Sequence, residues 1–502
     1  MNTVRSDLAA VRAAQAARLD AQRPAAVERQ RKRGRWTVRE VVDVLVDAQS
    51  FVEYGGLAQP ATEGMTGAAD GLVMGTGRIG GQPADVVLYD YTVYAGTQSA
   101  INHMKMTRMF EHALRFRLPL VCWLDGGGAR PHDMLLAARG KTPTFVVFAR
   151  LSGWVPTIGV VPGVAFAGQA NLAGLCDFLI GVRGSALGLA GPPLVEAALG
   201  VKYSPQEIGA AEVHEASGVY DIVADDDAHA VALAQRYLAY FGPAQACTAA
   251  RDQSVLRDLV PENSRQSYDV RTVIDILADE DSVLELKPAF GGCVVTALMR
   301  LGGRSVGVIA NQPLVLAGAI DSDGSVKAAR FASICDAFDI PLLLLCDTPG
   351  LMVGPDAEKT GLVRHSARLL TAIANATVPL LTVVLRKAYG LGYYIMGSQP
   401  LDPAILLAWP SAEYGGMGLE GAVNIIYRRE LDAMTDPDER ARLHARLTAE
   451  LKEEHSAVIA GSRFTYDDVI DPAHTRELLL RTLESLPPPA PRTTRKRLVE
   501  PF

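Results

Sequence analysis

Slid along itself by 222 positions (300 − 78), the 502-residue sequence brings a second stretch into register without a gap. Arg78, Gly80 and Gly81 fall on Arg300, Gly302 and Gly303, and Ala95 and Gly96 fall on Ala317 and Gly318. Lys105, Arg108 and Pro119 fall on Lys327, Arg330 and Pro341, and Asp125 and Gly128 on Asp347 and Gly350. Shared composition does not hold residues in register from Arg78 to Gly128, so the chain has to fold as two copies of one unit.

The local patterns say what that unit is. GLVMGTGRI and PADVVLYDYTV read as strands joined by the hairpin dipeptide Gly80-Gly81, and a helix follows over Gln98–Phe116. Pro119 to Arg130, PLVCWLDGGGAR, then reads as a strand covered on both faces that ends in Gly126, Gly127 and Gly128. Such a turn bares backbone N–H groups that can face a developing negative charge, although a plain strand-to-loop turn has the same sequence. Its counterpart is CDTPG, Cys346 to Gly350. Strand, small-residue turn and helix recur in both halves, which predicts an α/β protein of two domains, 1–250 and 251–502, parting in the polar stretch between Gly242 and Asp269. Ahead of them the first fifty or so residues read as a helical arm ending in WTVREVVDVLVD.

Several functions are excluded on composition and motif. A formal charge of -7 offers no surface for nucleic acid, and the six scattered cysteines form no CxxC, so neither a zinc ribbon nor a disulfide framework is expected. The N-terminus lacks the apolar core of a signal peptide and no segment suits a membrane span, which predicts a cytoplasmic protein. Gly75 to Gly80 fits GxGxxG, but a strand follows it and the second copy has Ala297 and Met299 there, so a hairpin is the better reading than a dinucleotide loop. Met104-Lys105-Met106 matches the biotin-attachment tripeptide, yet it lies in a helical stretch. No GxSxG elbow and no close histidine spacing occur, and His132 and His365, beside the turns, read as structural, so no metal site is expected. A site rich in glycine turns and poor in bases points to a proton acceptor supplied by a cofactor or co-substrate.

Motifs along nearly the whole chain resemble the carboxyltransferase (β) subunits of biotin-dependent acyl-CoA carboxylases, the group that includes the propionyl-CoA and methylcrotonyl-CoA carboxylase β chains. They are GGAR (Gly127–Arg130), GPPLVEAALG (Gly191–Gly200), EIGAAEVHEASGV (Glu207–Val219), ANQPLVLAGAID (Ala310–Asp321), KAARFASICDAFDIPLLLLCDTPG (Lys327–Gly350) and RKAYGLG (Arg386–Gly392). The resemblance implies two tandem crotonase-like β-β-α superhelix domains in a homo-oligomer, dimer to hexamer, with sites built where the N-domain of one chain meets the C-domain of another. It implies transfer of a carboxyl group from carboxybiotin, on a separate carrier protein, to the α-carbon of an acyl-CoA. A biotin carboxylase and a biotin carboxyl carrier subunit would be partners.

By position, the resemblance puts oxyanion donors at Gly127 and Gly128 in one half and at Leu391 and Gly392 in the other. It puts ligand contacts at Ala129, Arg130, Ala167, Gly168 and Tyr394, with Arg130 organising the turn rather than taking part in chemistry. The duplicated cations Lys105, Arg108, Lys327 and Arg330 are candidates for CoA phosphates or for a shared structural role. Relatives carry more glycine where this chain reads Gly163 to Gln169 and Gly390-Leu391-Gly392. The Leu391 amide keeps its direction only if φ there is negative. Tyr394 would shorten the acyl pocket, which predicts a short acyl group such as acetyl or propionyl. Two alternatives keep the fold: a biotin-independent decarboxylase or other enolate-forming CoA enzyme, and a non-catalytic assembly subunit.

Overall fold

In the computed structural model, which describes residues 5–131, 143–246, 249–263, 266–490 and 493–501, both Gly-Gly dipeptides close antiparallel hairpins. Positive φ at Gly80 (56°), Gly81 (80°), Gly302 (60°) and Gly303 (79°) gives the two-residue turn whose twist matches the strands. Each turn is held the same way. Asp47 accepts from the amides of Gly80 (3.0 Å) and Gly81 (2.7 Å), and Asp279 from those of Gly302 (2.9 Å) and Gly303 (2.7 Å). Arg78 and Arg300 each donate to the carbonyl of the second glycine at 2.8 Å.

The chain forms two compact units, one running to Gly242 and taking in Leu498–Pro501, the other comprising Pro243–Arg497. The first contains β1 (Val52–Glu53), β2 (Leu72–Ile79), β3 (Gln82–Tyr89), β4 (Leu120–Trp123), β5 (Thr157–Val161), β6 (Val164–Phe166), β7 (Phe178–Val182), β8 (Ala186–Gly188) and β9 (Ile222–Ala224). Its main sheet has the order β1-β2-β3-β4-β5-β7-β9, parallel from β3 onward, and β6 pairs β8 separately. The second contains β10 (Leu284–Leu286), β11 (Val294–Leu301), β12 (Arg304–Asn311), β13 (Leu342–Thr348), β14 (Leu380–Tyr389), β15 (Ile405–Ala408), β16 (Glu413–Gly415) and β17 (Asp468–Val469). Its order is β10-β11-β12-β13-β14-β15-β17, with β16 paired to the end of β14. Each unit thus has the hairpin, helix and parallel strands of the crotonase-like β-β-α superhelix. The helices Ala100–Phe116 and Ser322–Ala337 connect hairpin to sheet in the two units.

The repeat is longer than the gapless register. Helices Val38–Leu45 and Val270–Leu277 lie 232 positions apart (270 − 38), and each places an Arg on a Glu of the first strand: Arg39 on Glu53 at 2.8 Å, Arg271 on Glu285 at 2.7 Å. Gly75 and Gly77 sit in β2, where a Cβ would lie 2.1 Å from the Val52 carbonyl oxygen and 2.5 Å from Val46 respectively. They are glycines because a neighbouring segment passes close, not because a nucleotide is cradled. Among the described residues, no helix is long and apolar enough to cross a membrane.

The hairpin clasp sets a stability prediction. Burial opposes ionisation of Asp279, but Arg476 and the Gly302 and Gly303 amides outweigh it and hold the carboxyl below its usual range. Asp279→Ala removes the carboxylate that the buried Arg476 and two amides share and is expected to cost on the order of 3 kcal/mol in denaturant unfolding. Because the folded value is depressed, the wild-type contribution is present at neutral pH and is lost as pH falls below the ~3.9 of an unfolded aspartate. The variant should therefore show a flatter acid limb than the wild type.

Candidate functional site

β4 carries only apolar residues and is buried, so its end delivers Asp125 and the three glycines to a fixed place. Burial pushes the Asp125 carboxyl up to about 6, against the nearby Arg35 guanidinium and the Val164 amide that it accepts at 3.1 Å. The Gly126 amide donates to the Val164 carbonyl (2.6 Å), and Phe166 donates back to Gly126 (3.1 Å). Backbones meet directly here. A Cβ on Gly96 would stand 1.9 Å from the Asp125 oxygen, and one on Gly126 would stand 2.2 Å from the Gly96 oxygen.

The Gly127 amide donates to the Ala95 carbonyl at 3.2 Å, which corrects its expected place as an oxyanion donor. Gly128 is different. At φ 93° it turns the chain so that its own N–H and that of Ala129 meet no acceptor among the described residues, while its carbonyl accepts from Gln98 (2.8 Å). Gln98 in turn accepts from the Arg130 amide at 2.7 Å, so the turn is bracketed on both sides. A Cβ on Gly128 would face Ala167 at 3.1 Å, which brings the turn against the start of the helix Gly168–Gly174. The first amides of a helix have no intrahelical acceptor, so Gly168 adds donors at the same place.

The second unit repeats this plan with different residues. Ile320 donates to Gly350 (3.1 Å) and accepts from Met352 (2.9 Å), as Gln98 does with Gly128 and Arg130. Strand register aligns Phe166, opposite Gly188, with Tyr389, opposite Gly415. Ala167, Gly168 and Gln169 therefore correspond to Gly390, Leu391 and Gly392. The positive φ falls on Gly390 (56°) and not on Leu391, so the leucine amide keeps its direction and its side chain is 50% exposed. Gly392 has to be glycine: its Cβ would lie 2.7 Å from the Gly350 Cα. Tyr394, 40% exposed, lies three residues beyond Leu391 on the same helix. Each unit carries both a glycine turn and a helix start, whereas the sequence reading took the former from one half and the latter from the other.

Arg130 is buried, donates to Asp70 at 2.7 Å and to the Thr97 carbonyl at 3.3 Å, and covers the Tyr94 ring. These contacts tie the end of the turn to Asp70 and Thr97. Lys105 and Lys327 are corrected as ligand contacts. Both ammonium groups are buried, Lys105 donating to the Ala69 (2.7 Å) and Leu72 (2.5 Å) carbonyls and Lys327 to the Phe290 carbonyl (2.9 Å). Burial pulls both down to about 8. His132 lies outside the described residues. Sequence reasoning missed Gln98 and Gln169; Gln169 is fully buried, donates to the Gly96 carbonyl (2.8 Å) and has no partner for its Oε1 among the described residues. A signal was present, since Gln98 faces Ile320 in the 222 register.

The carboxyl transferase domain family model matches residues 29–497. Among curated relatives, the methylmalonyl-CoA carboxyltransferase 12S subunit of Propionibacterium freudenreichii subsp. shermanii is 38% identical over 91% of this chain and 90% of its own length. A transcarboxylase 12S crystal structure, described as a hexamer with methylmalonyl-CoA bound, aligns at 35% identity and a TM-score of 0.87, covering 98% of this chain and 97% of that one. A single-chain, multi-domain long-chain acyl-CoA carboxylase aligns at 44% identity and a TM-score of 0.90 over 96% of this chain, which spans 49% of that longer one.

The two helix starts respond oppositely to substitution. Ala167 has φ 53° and ψ −114°, a conformation natural to glycine alone, so Ala167→Gly is expected to raise stability by about 1 kcal/mol once the added backbone freedom is subtracted. Gly392→Ala forces two backbones apart and is expected to cost about 1–3 kcal/mol. Thermal melts of the two variants beside wild type check both signs.

Proposed function

Because this chain belongs to the carboxyl transferase domain family, we propose that it moves a carboxyl group from carboxybiotin to the α-carbon of a short acyl-CoA such as acetyl-CoA or propionyl-CoA. It is the carboxyltransferase component of a biotin-dependent acyl-CoA carboxylase. The observation that carries the reading is the pair of amides at Gly128 and Ala129, bracketed by Gln98 and meeting no acceptor among the described residues, in a turn whose counterpart adjoins the helix start at Gly390. Biotin, borne on a separate carrier protein, supplies the carboxyl group and the basic nitrogen. That agrees with a turn in which Asp125 is buried and bound to the Val164 amide rather than presented as a base.

The chain's own part is to bind and to hold charge. The oxygens to be held would be the thioester oxygen of the acyl-CoA and the ureido oxygen of biotin, each more negative in the reaction than at rest. Fixed N–H donors stabilise both without reorganising. Gly128, Ala129 and Gly168 would serve one such oxygen, Leu391 and Gly392 the other. Tyr394 supports a short acyl group because it lies three residues beyond Leu391 on the same helix and is 40% exposed. A homo-oligomer, a biotin carboxylase and a carrier subunit in the cytoplasm complete the proposal.

The test is transfer in reverse. Purified chain, free biotin and malonyl-CoA or methylmalonyl-CoA should yield carboxylated biotin. Carbon dioxide release independent of biotin would favour a decarboxylase, and silence in both assays alongside intact partner binding would favour an assembly role. A panel of acyl-CoA chain lengths, assayed with the cognate partners, should show the highest kcat/KM at two or three carbons. Leu391→Pro removes one donor from a helix first turn, where proline is tolerated, and should lower kcat on the order of a hundredfold or more with little change in KM.

A further inference from the structure

The two turns differ at one position that the repeat makes conspicuous. Gly127, whose amide donates to the Ala95 carbonyl at 3.2 Å, corresponds 222 positions on to Pro349, and Ala95 corresponds to Ala317. Proline has no N–H, so the second turn cannot make this bond. The Ala317 carbonyl is nevertheless satisfied: the Lys387 Nζ donates to it at 2.6 Å. The same ammonium stands 3.5 Å from Asp347 Oδ1, an oxygen that also accepts the Lys387 backbone amide at 3.1 Å.

The converse holds in the first unit. Val164 occupies the place of Lys387, by strand register and because its amide makes the equivalent 3.1 Å bond to Asp125. It carries no amine, and none is needed where Gly127 supplies the hydrogen. The donor is present only where the proline is.

We propose that Lys387 is a positioning residue of the second turn, its ammonium standing in for the amide hydrogen that Pro349 lacks. The Ala317 carbonyl belongs to a left-handed turn, Leu316–Gly318, with φ of 51°, 52° and 86°. That turn packs on the strand end, since a Cβ on Gly318 would lie 2.2 Å from the Asp347 oxygen. Lys387 ties this otherwise exposed loop to the buried Asp347 and so fixes one wall of the turn that precedes Leu351. The chemistry at stake rests on the carboxyltransferase reading; the hydrogen-bond replacement does not.

The experiment exploits the compensation. In hydrogen exchange on the full chain, Lys387→Met should speed exchange of the Gly318 and Ala319 amides by roughly tenfold or more, and adding Pro349→Gly should bring it back toward wild type. Carboxyl transfer should follow the same order. Lys387→Met lowers kcat by roughly ten- to a hundredfold with the acyl-CoA KM little changed, and the double variant recovers most of the loss. Should Lys387→Met fail to accumulate as folded protein, recovery of folded protein on adding Pro349→Gly is read in its place, and no recovery counts against the assignment. Unchanged exchange in the single variant, or a double variant no better than the single one, overturns the assignment. A wild-type chain that transfers nothing, with exchange behaving as stated, overturns the carboxyltransferase reading and leaves Lys387 in its role.

Discussion

The bracket formed by one residue around each glycine turn is the interaction on which the rest depends. Gln98 donates to Gly128 and accepts from Arg130, and Ile320 does the same with Gly350 and Met352. Two hydrogen bonds to alternate residues fix the plane of the peptides between them, and those peptides carry the spare N–H groups. The bracketing residue sits at the start of the helix that feeds the same sheet, so hairpin, helix and strand all converge on the turn. Close backbone approach at Gly96 and Gly318 makes that convergence possible, because a side chain at either would overlap a carbonyl group.

Duplication preserved this geometry while the chemistry that supports it drifted. The buried aspartate at each strand end needs a cation, and Asp125 has Arg35 nearby whereas Asp347 takes Arg386 at 3.1 Å from the adjacent strand. Unit one fills the space behind its turn with the Gln98 and Gln169 side chains; unit two has Ile320 and Gly392 and closes the gap with backbone against backbone. Where side chains do the filling, polar atoms have to be partnered, and Gln169 Oε1 finds no partner among the described residues.

Much of the fold was legible because hairpins and buried strands write themselves in residue types. Gly80-Gly81, Gly302-Gly303 and the run from Pro119 to Gly128 each map to the element their sequence suggests. The equivalence of helices Val38–Leu45 and Val270–Leu277 was hidden because ten more residues separate Glu53 from Leu72 than the second unit needs, which breaks a gapless register. The site was legible by position and not by direction. Nothing in GGGAR reveals that the Gly127 amide turns toward Ala95 while those of Gly128 and Ala129 meet no acceptor among the described residues, since that depends on the loop at Ala95, well upstream. Lys105 and Lys327 were open between two readings for a related reason: duplication hints at a structural role, but only the bonds of each ammonium to the chain's own carbonyls favour it over a ligand contact.

A site whose working groups are amides places its sequence constraint beside the donors more than on them. An amide at residue 391 is the same donor whether the side chain is hydrogen or isobutyl, provided φ is negative, and the burden of the positive φ rests on Gly390. Gly392 is constrained for another reason, the Gly350 backbone packed against it. Leu391 is therefore accommodated without a positive φ, and its half-exposed side chain leaves the direction of its amide alone. Under the proposed reading, specificity and charge stabilisation are separable because they reside on opposite ends of the same residue.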